Sequence, residues 1–161
     1  MILKDEIERL IRAEQEKLDK SDQKTKEHSE RQKQRFIPMR AIIEEISKSI
    51  EPQYMRVSIS DSHAMIEVGR KKARDNFEDE IRWEIQPNYQ TQVSSESGVM
   101  YLEQPGFRVE ERLIQYEPEI LEHTYTFKDE QLTAEYLLKK IAEKVARYRH
   151  LEALVKSRAK K

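Results

Sequence analysis

The spacing of apolar residues changes twice along this chain, and those changes restrict the fold more than any other property. Up to Ile50 the apolar residues recur at three, four and seven positions, the period of one face of an α-helix. From Met55 to Phe127 they alternate with polar residues, as on a strand with one buried face. Beyond Asp129 the helical period returns. Successive strands joined by short polar turns pair antiparallel, because a parallel return needs a crossover of about a dozen residues or more. The expected fold is therefore α+β. It is an antiparallel five- or six-stranded meander packed against helices, with a charged N-terminal helical extension and a long C-terminal helix.

Leu3, Ile7, Leu10, Ile11 and Leu18 form an apolar stripe over residues 2–18, and Glu8–Arg12 and Glu16–Lys20 are oriented to support a helix there. From Asp19 to Arg35 there is no aliphatic or aromatic residue. Such a segment offers no apolar face, and it is either a solvated helix between two packed ends or a frayed linker. The pattern restarts at Phe36. Pro38 suits the first turn of a new helix, and Met39, Ile43, Ile46 and Ile50 continue it until Pro52. Residues 1–35 read as a charged helical extension, and residues 36–161 as a single α+β domain.

In the middle of the chain, Met55, Val57 and Ile59 precede the turn Asp61-Ser62-His63, and Ala64, Ile66 and Val68 complete a hairpin. Residues 69–79 read as a loop or a short helical turn. Ile81, Trp83 and Ile85 alternate on a strand that Pro87-Asn88 breaks, and Tyr89–Val93 resumes it before a Ser-rich loop over 94–98. Val99–Glu103, a turn at Gln104-Pro105-Gly106, and Phe107–Tyr116 read as another hairpin. Leu121, His123, Tyr125 and Phe127 mark the last strand. Thr126 to Asp129 has the spacing of a capping box. Leu138, Ile141, Val145, Tyr148 and Val155 then define one face of a helix from 129 to about 157.

Composition limits the function classes. Of the 161 residues, 37% are hydrophobic and 38% charged, and the mean hydropathy is −0.92. Ordinary domains are roughly 45–50% apolar and about 25% charged, so this core is small for its length. The absence of cysteine excludes disulfides, thiolate metal sites and cysteine nucleophiles. The opening MILKDEIERL is charged from its fourth residue, unlike a signal peptide, and no apolar run approaches the ~20 residues of a membrane helix. A cytoplasmic location and no membrane partner are expected.

No cofactor is expected either. Gly69, Gly98 and Gly106 are scattered, whereas a phosphate-cradling loop gathers several glycines. His28, His63, His123 and His150 share no ligand spacing, so no metal site is expected. Asp61, Ser62 and His63 are contiguous in a turn and cannot take the relayed geometry of a triad. His123, two residues from Tyr125, reads as a core-edge residue. The carboxylates at 78–80 and at Glu110, Glu111, Glu117, Glu119 and Glu122 read as a solvated acidic surface. No catalytic residue and no small-molecule substrate stand out.

Charge is segregated. Residues 78–135 carry fourteen acidic and four basic side chains, while residues 139–161 carry nine basic and two acidic. The expected function is that of a non-enzymatic protein-interaction or assembly protein, a homodimer or a subunit binding a protein partner. Its contact is the stripe Leu3, Ile7, Leu10, Ile11 and Leu18, which lacks an obvious partner within the chain. The alternative is nucleic-acid binding through Lys140, Lys144 and Arg147, with Arg70, Lys71, Lys72 and Arg74 as a second basic cluster.

Overall fold

A computed structural model describes residues 2–71, 77–95, 98–114 and 118–159, with backbone alone at 70–71 and 77–80. Helix α1 (Ile2–Ser49) leads into strands β1 (Met55–Ile59), β2 (Ala64–Lys71), β3 (Phe77–Ser94), β4 (Gly98–Leu113) and β5 (Ile120–Phe127), and helix α2 (Glu130–Ala159) closes the chain. The strands form one antiparallel sheet in the order β1-β2-β3-β4-β5, a meander of five strands.

The inner face of the sheet carries the alternating residues. Met55 lies across from Val68 and Ile81, Val57 from Ile66 and Trp83, and Ile59 from Ala64 and Ile85. From α1, Phe36, Met39, Ile43 and Ile46 are buried against these rows, and Leu137, Ile141, Val145 and Tyr148 are buried from α2. Both helices cover one face of the sheet, as the two periods require. Leu138 and Val155, expected on the packed side of α2, are half-exposed or more; Leu137 and Thr133 take that side instead.

Two proline signals have outcomes opposite to expectation. Pro38 begins no new helix but lies inside α1, which runs without a break through residues 19–35. A proline in a helix costs about 3 kcal/mol through its missing N–H and its clash with the carbonyl four residues back. Here that carbonyl belongs to Gln34, an exposed residue on the solvent side, where water can bond it. Phe36 and Met39, both 0% exposed, hold the helix from the opposite side. Likewise, Pro87-Asn88 does not end β3, and Gln104-Pro105-Gly106 is no hairpin turn. Pro87 pairs with Phe107 and Tyr89 with Glu103, so three residues of β4 stand opposite Asn88 alone. The hairpin turn lies instead beyond Ser94, and the sheet has five strands because β4 is continuous.

Smaller differences follow local bonding. The segment 69–79 extends the ladder at both ends, with Gly69 opposite Asp79 and Lys71 opposite Phe77. Thr126 is not a helix cap; it pairs with Arg108 in the sheet. Asp129 caps α2, accepting from the Leu132 N–H at 2.9 Å. The β1–β2 turn is closed by Ser60, whose hydroxyl meets His63 Nδ1 at 2.6 Å.

Gly106 makes the β4 irregularity possible. Its φ of +81° suits glycine, and a Cβ there would overlap the Phe127 carbonyl. Gly98 also has a positive φ, +72°, but a Cβ there meets nothing closer than Ser21 Oγ at 3.8 Å. Gly98→Ala should therefore lose about 1 kcal/mol for its backbone alone. Gly106→Ala should lose roughly 3 kcal/mol or more, because strain and overlap add. Urea unfolding followed by Trp83 emission measures both, and equal losses would show that the Phe127 contact is irrelevant.

Candidate functional site

The long β3–β4 hairpin outruns the rest of the sheet. Pairing with β2 stops at Ile85 and pairing with β5 at Phe107, so residues 88–94 and 98–103 form a two-stranded ribbon. That ribbon lies along the segment of α1 that has no apolar residue. Gln32 Nε2 donates to the Pro87 carbonyl at 3.1 Å. Arg35 donates to the carbonyls of Asn88 (2.9 Å), Gly106 (3.2 Å) and Gln104, and to Gln32 Oε1 at 3.0 Å. Asn88, Gln104 and Gly106 are residues of the mismatch in the ladder, and Pro87 borders it. Further out, Arg31 pairs with Glu103, and the Tyr101 hydroxyl lies 3.4 Å from Thr25 Oγ1. His28 fits between Tyr89 and Tyr101.

The apolar stripe continues beyond the ribbon. Leu18 precedes buried Phe36 by 18 residues, about five helical turns. Leu3, Ile7 and Leu10 each precede buried Met39, Ile43 and Ile46 by 36, about ten turns. The stripe is thus the same face of α1 that packs on the sheet, prolonged past the hairpin tip. Leu3, Ile7, Leu10, Ile11 and Leu18 are 48–73% exposed. An open groove of about 510 Å³ runs between this arm and the tip, with Leu18, Ser21 and Lys24 on one side and Ser95 and Gly98 on the other.

The described basic candidates belong to two elements, α2 and the end of β2. Lys140 and Lys144 are half-buried beside the packed face of α2, and Arg147 is exposed. Lys140 Nζ lies 6.0 Å from the centre of the Tyr136 ring. Arg70 and Lys71 end β2, in register with Glu78 and Phe77. Lys72 and Arg74 lie outside the described residues.

One carboxylate departs from the expectation of a solvated acidic surface. Glu111 occupies an inward position on β4 opposite Trp83, and is 7% exposed. Its Oε2 accepts from Trp83 Nε1 at 2.8 Å and from the Tyr136 hydroxyl at 3.0 Å. Burial, and then the Glu111 charge, push the Tyr136 pKa far above its usual value, so its hydroxyl remains a donor. On β5, opposite Glu111, His123 is exposed and not a core-edge residue. The register shifts between Glu111 and Arg112, leaving Glu122 as an extra residue beside His123. Glu111, Glu122 and His123 each bring a ligand atom within 4.8 Å of the others, and among the described residues they are the group that could hold a cation. Two of the three are solvated, and such groups are common on surfaces without a bound ion.

Sequence reasoning missed the contribution of His28, Gln32 and Arg35. The available sign was phase: residues 28, 32, 36, 39 and 43 keep the helical spacing although the first two are polar. Among the described residues, no helix is long and apolar enough to cross a membrane. Comparison with models of known protein families, with curated proteins and with solved structures finds no match to this chain.

Replacing Glu111 tests whether its buried bonds are structural. Glu111→Gln keeps an acceptor for Trp83 and Tyr136 and should cost about 1 kcal/mol. Glu111→Leu leaves the Trp83 donor buried and unpaired and leaves the half-buried Tyr136 hydroxyl only Tyr125, and should cost roughly 2 kcal/mol or more, with a shifted Trp83 emission. Denaturant midpoints measure the difference, and a neutral Glu111→Leu would show that these bonds add nothing net.

Proposed function

We propose that this chain is a non-enzymatic assembly protein that self-associates through the N-terminal arm of α1. The supporting observation is the phase of the stripe: the face that packs on the sheet downstream continues over Leu3 to Leu18 as exposed leucine and isoleucine. Isolated exposed apolar residues are ordinary, but five on one face of one helix form a contact surface. Two arms laid side by side bury both stripes, and a cytoplasmic, cysteine-free chain suits such an assembly. The energy is modest. Completing the burial of a half-exposed Leu or Ile is worth about 1 kcal/mol, roughly 10 kcal/mol for two arms, against an association cost of about 4–15 kcal/mol. Association with a Kd of about tens of micromolar or weaker follows.

Sedimentation velocity from about 5 to 200 μM covers the strong end of that range, where the proposed assembly lies. The wild type should form dimers or larger assemblies as concentration rises. Ile7→Asp combined with Leu10→Asp should stay monomeric with unchanged Trp83 emission. A monomeric wild type at every concentration overturns the reading. A double variant that unfolds places the arm in the core and overturns it equally. The alternative, nucleic-acid binding, rests on Lys140, Lys144 and Arg147 lying near one another along α2 at spacings of four and three. It predicts salt-dependent binding of oligonucleotides that is lost when these three are replaced by Glu.

A further inference from the structure

An isolated two-stranded hairpin is marginal in water, so the order of the ribbon formed by residues 88–94 and 98–103 depends on α1. At the middle of their contact is His28, 7% exposed. Its ring stacks on Tyr101 with centroids 4.0 Å apart and planes within 9°, and meets Tyr89 at 4.5 Å in an edge-on arrangement. His28 Nδ1 is buried and has no hydrogen-bond partner. Most buried polar atoms in folded proteins are paired. A neutral imidazole tolerates the gap as an unused lone pair. An imidazolium carries N–H on both nitrogens, and its Nδ1–H would find no acceptor in this slot.

We propose that His28 is a proton-operated latch: neutral, it seats the ribbon on α1, and protonation releases the ribbon from the helix. The surrounding charges act on the ring in both directions. On α1, Arg31 and Arg35 lie near it, and Lys24 and Glu27 line the small cavity beside Tyr101. From the hairpin come Glu103, the rings of Tyr89 and Tyr101, and Arg108, whose guanidinium stands 5.6 Å over Tyr89. Glu103 favours the imidazolium but is already paired with Arg31, and Glu27 accepts from Gln23. Burial is the largest influence and moves the His28 pKa below 6.5; Glu103 opposes it, and Arg31 and Arg35 add to it. The seated state thus binds fewer protons than the released one. Seating is complete above the ordinary histidine value and is lost as pH falls from there toward the depressed one. The loss is at most about tenfold in the equilibrium per pH unit.

The effect is local and measurable. Hydrogen exchange of residues 88–94 and 98–103, corrected for intrinsic rates, should show opening that grows several-fold between about pH 7 and pH 5. His28→Phe keeps an aromatic ring between the tyrosines but cannot titrate, and should abolish that growth. His63, His123 and His150 remain in the variant, so any dependence they cause survives there. A wild type whose ribbon exchange ignores pH, or a His28→Phe protein with the same dependence, overturns the latch. If His28→Phe does not seat the ribbon, an NMR titration of the His28 ring in the wild type decides. A midpoint below 6.5 sustains the latch, and one at or above 6.5 overturns it.

Discussion

The rest of the molecule depends on the hydrogen bonds that Gln32 and Arg35 give to the β3–β4 hairpin. A five-stranded sheet that narrows to a two-stranded ribbon needs a break in its ladder, and here β4 carries Gln104, Pro105 and Gly106 against Asn88 alone. A break displaces carbonyls from their strand partners, and buried carbonyls must be bonded again. Arg35 reaches those of Asn88, Gln104 and Gly106 with one planar fork. Gln32 reaches that of Pro87 and accepts from Arg35 through its other atom. A lysine at residue 35 has a single nitrogen and no fixed fork, and could not span three carbonyls in this way. This contact fixes α1 immediately before Pro38, so the helix is anchored on both sides of its weakest point.

The sheet also accounts for the unusual composition. Its inner face is covered by two helices, and its outer face carries arginine and glutamate instead of a second layer. Arg82 bonds Glu67 at 3.3 Å and Glu119 at 3.1 Å; Arg112 bonds Glu110 at 2.9 Å and Glu84 at 3.5 Å. Pairs on a solvent-facing surface contribute about 0–1 kcal/mol each. Their larger effect is coverage, because arginine and glutamate stems lie over apolar surface while their heads remain in water. Both arginines belong to residues 78–135, so these pairs leave the acidic excess of that segment unchanged, and one of its carboxylates is turned inward at Glu111. A high charged fraction here reflects an open sheet face and a long exposed helix.

What was legible in the sequence was the part set by period. Alternation located β1, β2 and the Trp83 strand, and the helical spacing located α2 and the packed half of α1. What was not legible was set by contacts between distant residues. Pro38, Pro87 and Gly106 are local signals for interruption; packing on the sheet overrides the first, and the other two break the ladder without ending either strand. His28 and Gln32 hold core-facing positions that a hydropathy pattern cannot reveal. Their partners, Tyr89, Tyr101 and Pro87, lie more than fifty residues away. Glu111 was misjudged for the converse reason. Its position in the alternation faces inward, yet a carboxylate is acceptable there only because Trp83 and Tyr136 supply donors. The stripe at Leu3 to Leu18 was legible as a helix face, but that it prolongs the packed face of α1 follows only from a helix without a break at residues 19–38.

That continuity bears on why the arm is apolar. An isolated helix of the arm's length is marginal because nucleation is costly, but this arm extends a helix already nucleated and anchored at Gln32, Arg35 and Phe36. Its helicity does not require leucine or isoleucine, since glutamate, lysine or glutamine would propagate the helix equally well. The apolar stripe is therefore not needed for the helix itself, which is the physical basis for proposing self-association. The ribbon bears on the same contact through geometry. Its tip at Ser95 and Gly98 borders the groove that Leu18 and Ser21 line. A partner arm lying along the stripe would meet the tip while the ribbon is seated, and would find that side of the groove missing once it is released.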